Sequence, residues 1–194
     1  STYAASGTNA VRFYTYTGTT DYGDQYAILP AIDVNTYPIS GLQLTMDVRK
    51  NSTSYNEFTL IVGVMDNPAD RNSFVPVDTI VETGTTYVER IVYFNNYTGT
   101  GTYIALMAPR QTSSSYNTGY VDNITVDVIP TCPKPNSLSV TNITENSITL
   151  GWNDPASSSS WNIEYGPAGF TQGQGTVVVA NSNPFTITGL TANT

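Results

Sequence analysis

The sequence predicts an all-β chain of two sandwich modules, and three observations carry that prediction. Apolar and polar residues alternate with period two along most of the chain, and no stretch shows the 3.6-residue period of a helix. Turn-forming Gly, Pro, Asn, Asp and Ser separate the alternating runs at short intervals. Three prolines crowd residues 130–135 in IPTCPKPNS, which stiffens that stretch into a linker between modules.

Taken in order, Val11, Phe13 and Thr15 alternate with Arg12, Tyr14 and Tyr16, giving a first strand that ends toward Gly18. QYAILP (25–30) is a short apolar strand after the turn-rich TTDYGD. Leu42, Leu44, Met46 and Val48 alternate with Gln43, Thr45, Asp47 and Arg49, the pattern of a half-buried strand. FTLIVGVM (58–65) is apolar on both phases, as expected for a central strand covered on both faces, and DNPADRNS breaks it. Further strands are predicted over 74–81, 87–94, 101–108 and 119–128, with turn chemistry in ETG, NNYTGTG and TSSSYN between them. About eight strands with no helix between them point to a two-sheet sandwich or jelly roll. Beyond the linker, strands are predicted over 138–143, 147–153, 160–165, 176–180 and 185–190, again at sandwich spacing. The expected division is therefore a jelly roll over 1–130, a linker over 131–135 and a second module over 136–194.

Hydrophobic residues make up 39% of the 194, enough for packed cores, whereas charged residues make up only 11%. That is far below the roughly 25% of ordinary soluble domains, so Thr, Ser, Asn, Gln and Tyr must form the polar surface. A net charge of −8 argues against nucleic acid, which needs a Lys/Arg surplus, and against an anionic membrane surface. With no histidine and a single cysteine, Cys132, the chain holds neither a Ser-His-Asp nor a Cys-His catalytic set, nor a His/Cys zinc site. The longest apolar run, 58–65, is too short to cross a bilayer as a helix. The chain opens on Ser1 without a leader pattern, so it is expected to be an internal or processed segment.

Two resemblances follow from specific residues. Trp152 in ITLGWNDP, the run Trp161, Ile163 and Tyr165 in WNIEY, and FTITGLTANT together resemble a fibronectin type III module cut short after about five strands. QYAILPAIDV, LQLTMDVR, LIVGVMDNPADRNSFVPVDTI, GTYIALMAP and GYVDNITVDV, in that order, resemble jelly rolls of the MAM and cleaved-adhesin families (choice-of-anchor J type). The fold class expected is thus an all-β jelly-roll β-sandwich followed by an incomplete fibronectin type III (Ig-like) β-sandwich. The resemblance implies a large secreted or surface-anchored bacterial protein.

Several residues are candidates for chemistry. In the related jelly rolls an acidic residue where Asp122 stands joins a structural calcium site, so the resemblance implies calcium there. A cap on backbone amides is the alternative role. Calcium needs six to eight oxygens, and residues 1–12 carry no Asp or Glu. DNPADRNS (66–73) collects oxygen ligands without the spacing of an EF-hand, and reads better as a turn, as does DYGD (21–24). Among the 14 tyrosines, Tyr14, Tyr16, Tyr22, Tyr55, Tyr97 and Tyr116 lie near turns or on exposed phases, and Tyr22, Tyr97 and Tyr116 are the loop candidates for stacking on a sugar. Tyrosine is also a good β-former that bridges core and water. Cys132 is implied by the resemblance to pair with a cysteine outside this chain, and Asp78-Thr79-Ile80 resembles a bacterial O-glycosylation motif with Thr79 as acceptor. Asn51, Asn96, Asn123 and Asn142 each stand in Asn-x-Ser/Thr, a signal only in a eukaryotic secretory pathway. No buried Glu flanked by apolar residues, which would raise its pKa as a general acid requires, is expected.

The expected function is a non-catalytic extracellular binding or adhesive segment, its jelly roll facing a glycan or protein ligand and its second module acting as spacer. No cofactor is required, structural calcium aside, and neither nucleic acid nor membrane insertion is expected. The alternatives are a structural stalk or filament unit whose partners are neighbouring modules, or an accessory module of a secreted hydrolase whose catalytic domain lies elsewhere.

Overall fold

In the computed structural model, residues 3–16, 23–111 and 116–191 are described, and they form two compact units, Ser1–Ile129 and Pro130–Thr194. The chain is all-β: helical backbone among the described residues is limited to 3-10 turns at Ile39–Gly41 and Arg71–Ser73. No helix among them is long and apolar enough to cross a membrane.

The first unit contains β1 (Val11–Tyr16), β2 (Gln25–Ile28), β3 (Leu42–Lys50), β4 (Phe58–Met65), β5 (Val75–Glu82), β6 (Val88–Tyr93), β7 (Tyr103–Ala108) and β8 (Tyr116–Val128). They form two four-stranded antiparallel sheets, ordered β1-β8-β3-β6 and β2-β7-β4-β5. This interleaving of eight strands between two sheets is the jelly roll. Period two decides what lies between the sheets. Leu42, Leu44, Met46 and Val48 of β3 are buried, while Gln43, Thr45, Asp47 and Arg49 between them face outward and stay half-exposed. Phe13, Phe58, Leu60, Val62, Val64, Val92, Ile104, Leu106 and Val121 complete the core. At roughly 25 cal/mol per Å² of apolar surface, a core of this kind supplies most of the driving force for the unit.

Strand β4 departs from the expectation of two covered faces. Its inward residues Phe58, Leu60, Val62 and Val64 are fully buried, but Thr59 and Ile61 on the other phase are only half-buried. The outer face closes only near its end, where Phe74 crosses Gly63. A Cβ on Gly63 would lie within 2.5 Å of the Phe74 ring. Strand β8 begins at Tyr116 rather than near residue 119, because Tyr116 and Asn117 pair with Tyr16 and Thr15 of β1. A stretch read from sequence as turn is thus partly ladder.

The second unit contains β9 (Asn136–Ile143), β10 (Ser147–Asn153), β11 (Trp161–Tyr165), β12 (Thr176–Ala180) and β13 (Phe185–Thr188). The sheets are β13-β10-β9 and β11-β12. First, second and fifth strands in one sheet with third and fourth in another is the Ig-like arrangement of fibronectin type III modules. Trp152 and Trp161 meet edge to face, 5.1 Å apart at 73°, and Ala180 and Ile187 are buried. Asp154 closes the β10–β11 connection by accepting from Ala156 N (3.0 Å), Ser158 N (2.6 Å) and the Trp161 indole N–H (3.1 Å).

Candidate functional site

The outer face of the β1-β8-β3-β6 sheet gathers aromatic rings. Phe13 and Thr15 of β1 point into the core, so Arg12, Tyr14 and Tyr16 point outward. Tyr16 stands opposite Tyr116, and Tyr14 opposite Thr118. The Tyr116 ring lies between those of Tyr16 (4.4 Å, 15°) and Tyr55 (4.6 Å, 22°), and Tyr14 tilts against it at 5.8 Å. Arg12 caps this group, its guanidinium 5.0 Å from the Tyr14 ring centre. Burial raises the Tyr116 phenol above its ordinary pKa, and the neighbouring phenols add to the effect.

A second group adjoins it on the same face. Tyr3 stacks on Tyr120 at 4.9 Å and 5°. Arg49, paired in register with Tyr120, sets its guanidinium 4.9 Å from Tyr120, 5.3 Å from Tyr87 and 5.6 Å from Tyr3. Its Nη1 donates to Thr85 O at 2.8 Å, and the Tyr87 hydroxyl donates to Tyr3 O. Cation–π contacts hold this arginine as a clasp on the segment around Tyr3. Seven of the 14 tyrosines therefore meet on one sheet face.

The predicted residues fare differently. Tyr116 sits in the array, but both its faces are covered by rings, so it is the spine of the stack and not a free platform. Tyr16 and Tyr55 each keep one face outside the stack. Tyr97 is half-buried, its hydroxyl accepting from Gly101 N at 2.9 Å and its ring closing over Gly99 and Gly101, so it braces a loop. Tyr22 lies outside the described residues. Thr79 is exposed on the edge strand β5, paired with Ile61. Cys132 is exposed and free among the described residues.

Asp122 lies in mid-strand, at a bulge of β8 opposite Asp47. Its Oδ2 accepts from Ala5 N (2.8 Å) and Ser6 N (3.0 Å), and its Oδ1 from Asn123 N (2.8 Å). Asn123 has φ +50°, donates from Nδ2 to Asp47 Oδ2 at 2.7 Å and accepts from the Ser6 hydroxyl. The N-terminal segment thus meets Asp122 with two N–H donors and brings one side-chain oxygen to the site, the Ser6 hydroxyl. Among the described residues no three His, Cys, Asp or Glu side chains assemble as a metal group. This donor set does not fit calcium, which needs six to eight oxygens. The Ser6 amide above all holds the Asp122 carboxyl below its ordinary pKa.

That depression sets a pH dependence. A lowered folded-state pKa stabilises the docked segment fully above pH about 4, and the contribution is lost as pH falls through the folded value. Hydrogen exchange at Ala5 and Ser6 is expected to accelerate relative to the β3 core in acid. Asp122→Asn is expected to accelerate it roughly tenfold at neutral pH, an order that allows for solvent screening at this exposed carboxylate. Unchanged protection at these two amides would refute the docking role.

The loop after β4 is a closed set of turns, in line with its turn reading. Asn67 Oδ1 accepts from Ala69 N (3.0 Å), Asp70 Oδ1 from Asn72 N (2.9 Å), and the Ser73 hydroxyl donates to Asp70 O (2.6 Å). Sequence reasoning missed Tyr3, Tyr87, Tyr120 and Arg49. The available signal was the outward phase of two strands, Arg12-x-Tyr14-x-Tyr16 and Tyr116-x-Thr118-x-Tyr120, both aromatic where a solvated face is normally polar.

No protein-family model matches the chain, and no curated protein does. Among solved structures it is similar to the K2 cleaved adhesin domain of Lys-gingipain, with 15% identity, a TM-score of 0.49, and coverage of 64% of this chain and 75% of that one. It is also similar to the K1 cleaved adhesin domain of Lys-gingipain from Porphyromonas gingivalis, at 17% identity and TM-score 0.46 over 61% and 73% of the two chains. A family 30 carbohydrate-binding module of a Clostridium thermocellum cellulosomal cellulase shares 13% identity at TM-score 0.45, over 66% and 79%. Likeness at this level assigns no residue and no ligand to the present chain.

Proposed function

We propose that the chain is a non-catalytic extracellular binding segment of a secreted or surface-anchored bacterial protein, whose jelly roll offers its tyrosine face to a glycan. The observation that carries this reading is the array of Tyr14, Tyr16, Tyr55 and Tyr116 on one sheet face. Stacked rings form a rigid, amphipathic surface at low entropic cost, with faces for the apolar side of a pyranose and hydroxyls for its polar rim. The carboxylates support a non-catalytic role. The carboxyls of Asp33, Asp122, Asp154 and Glu164 are all held below their ordinary pKa. Asp33 and Asp154 accept backbone amides of their own turns, Asp122 those of the docked segment, and Glu164 those of Gly173 and Gly175 in the β11–β12 connection. A general acid needs the opposite shift.

Glycan-array binding by the full chain tests the reading. Tyr16→Ala and Tyr55→Ala are each expected to weaken the best glycan about tenfold, in line with aromatic anchors in other interfaces, while thermal unfolding stays cooperative. A blank array together with no binding to whole cells would sink it.

One observation favours a second role for the second unit. Leu138 (71% exposed) and Ile143 (73%) on β9, with Val177 and Val179 on β12, leave apolar side chains in solvent. Such surface suits packing against a neighbouring module, as in a stalk. Concentration-dependent association in sedimentation runs, abolished by Leu138→Lys, would favour that role, and a strictly monomeric chain would count against it.

A further inference from the structure

Beside the tyrosine array, the edge strands β1 and β2 of the two sheets border a polar cleft of about 340 Å³, lined in part by Arg12, Asp24, Gln25, Tyr26 and Arg71. Two of the seven cationic residues of a chain with net charge −8 meet there. Both are exposed, and both are positioned. The Arg12 guanidinium rests 5.0 Å over Tyr14 and makes no hydrogen bond or ion pair among the described residues. The Arg71 guanidinium rests 4.9 Å over Tyr26, with Nη1 donating to Asp24 O at 2.8 Å. Each ring supports one face of a guanidinium; the Arg12 fork stays open and Arg71 keeps the N–H groups beyond the one given to Asp24 O, donors of the kind that take up a carboxylate. Gln25 Oε1 already accepts Tyr14 N at 2.6 Å, which leaves its Nε2 for a ligand hydroxyl. Asp24 faces the same space, its Oδ1 held by Arg110 N at 2.7 Å. Among the described residues, two guanidiniums and one carboxylate line the cleft, a net charge of +1 that suits a monoanion better than a phosphate dianion.

We infer that this cleft binds the carboxylate of an acidic sugar, a uronate or a sialate, with Arg12 and Arg71 as the clamp. Tyr14 belongs to both the clamp and the array, so one saccharide chain can place neutral residues on the rings and its acid group in the cleft. The inference rests on the glycan-binding reading and adds the charge of the ligand. Tetragalacturonate and its methyl ester, and sialyllactose and lactose, are the four probes, titrated calorimetrically into the full chain with inorganic phosphate as a control.

At least one acidic probe is expected to bind tenfold or more tightly than its neutral partner. Which of them does so identifies uronate or sialate as the source. Arg12→Gln and Arg71→Gln are each expected to lower that affinity about tenfold or more, the order of a lost charge-assisted hydrogen bond. Added salt should weaken it as well. Arg12 makes no bond that the fold needs, so Arg12→Gln remains informative if Arg71→Gln disturbs its loop. Equal binding of acidic and neutral partners with unchanged affinity in Arg12→Gln would overturn the inference and leave the tyrosine reading standing. Binding of phosphate in preference to either acid would also overturn it. No binding by any of the four probes, combined with a blank glycan array, would remove both.

Discussion

Replacing Phe58 by alanine is expected to destabilise the first unit by about 3–5 kcal/mol, a large share of the roughly 5–15 kcal/mol that holds a domain folded. Its ring is fully buried and packs 6.2 Å from Phe13 between the two sheets. The strand opposite makes room for it. A Cβ on Gly119 of β8 would lie 2.2 Å from the Phe58 ring, well inside van der Waals contact, so the glycine is required by the phenylalanine. Gly119→Ala alone is therefore expected to cost about 1–3 kcal/mol through overpacking. The double variant should cost clearly less than the sum, because its methyl group enters space that Phe58→Ala has emptied. Denaturation by urea, followed by far-UV circular dichroism or tyrosine signals, measures all three. Tryptophan fluorescence would miss the effect, since both tryptophans, Trp152 and Trp161, belong to the second unit. Strict additivity, or a loss below about 1 kcal/mol for Phe58→Ala, would refute this account of the core.

Asn117→Ala is expected to cost about 3 kcal/mol for a different reason. Strands β4 and β7 pair Ile61 with Met107, so continuing the ladder two residues brings Thr59 opposite Pro109. Proline has no N–H to give, and the ladder would stop with Thr59 unsatisfied. Asn117, 1% exposed on β8 of the other sheet, supplies what is missing. Its Oδ1 accepts Thr59 N at 2.8 Å, and its Nδ2 donates to Thr59 O at 3.0 Å and Pro109 O at 3.2 Å. The side-chain amide thus acts as a peptide group and ties the sheets together. Alanine leaves these part-buried backbone groups without that partner at about 1–3 kcal/mol each, although Thr15 Oγ1 still serves Pro109 O at 2.9 Å. Asn117→Asp is the sharper test. Its carboxylate would keep the Thr59 N–H but face two carbonyl oxygens, which raises its pKa in the folded state. The penalty should therefore be greatest near neutral pH and shrink as the pH falls and the carboxyl protonates, as the thermal midpoint against pH would show. A pH-independent penalty would contradict the arrangement.

The proposed binding face and the proposed acidic-sugar cleft depend on this frame. Asn117 and Gly119 fix β8 against the opposite sheet with their inward phase, while Tyr116, Thr118 and Tyr120 on the alternate phase face outward. A variant that loosens the first set is expected to blur the second, so stability should be measured beside every binding assay.

What the sequence by itself determined was local. The alternation of Leu42, Leu44, Met46 and Val48 with polar neighbours specified a half-buried strand, because side chains of a strand point to opposite faces by geometry alone. The turn residues of 66–73 similarly dictated a self-bonded loop, since their acceptors lie within a few residues of their donors. The site was decided by tertiary structure. Asp122 finds its amide donors at Ala5 and Ser6, more than a hundred residues away in the chain. Tyr116 became the covered centre of a stack because Tyr16 and Tyr55 arrive on either side of it. Arg12 and Arg71 line one cleft because β1 and β2 are edge strands of different sheets and the loop after β4 folds back beside them. Period two tells which face a residue takes but not which strand will lie next to it. In a jelly roll, whose strands alternate between sheets, the neighbours that make a site come from distant parts of the chain.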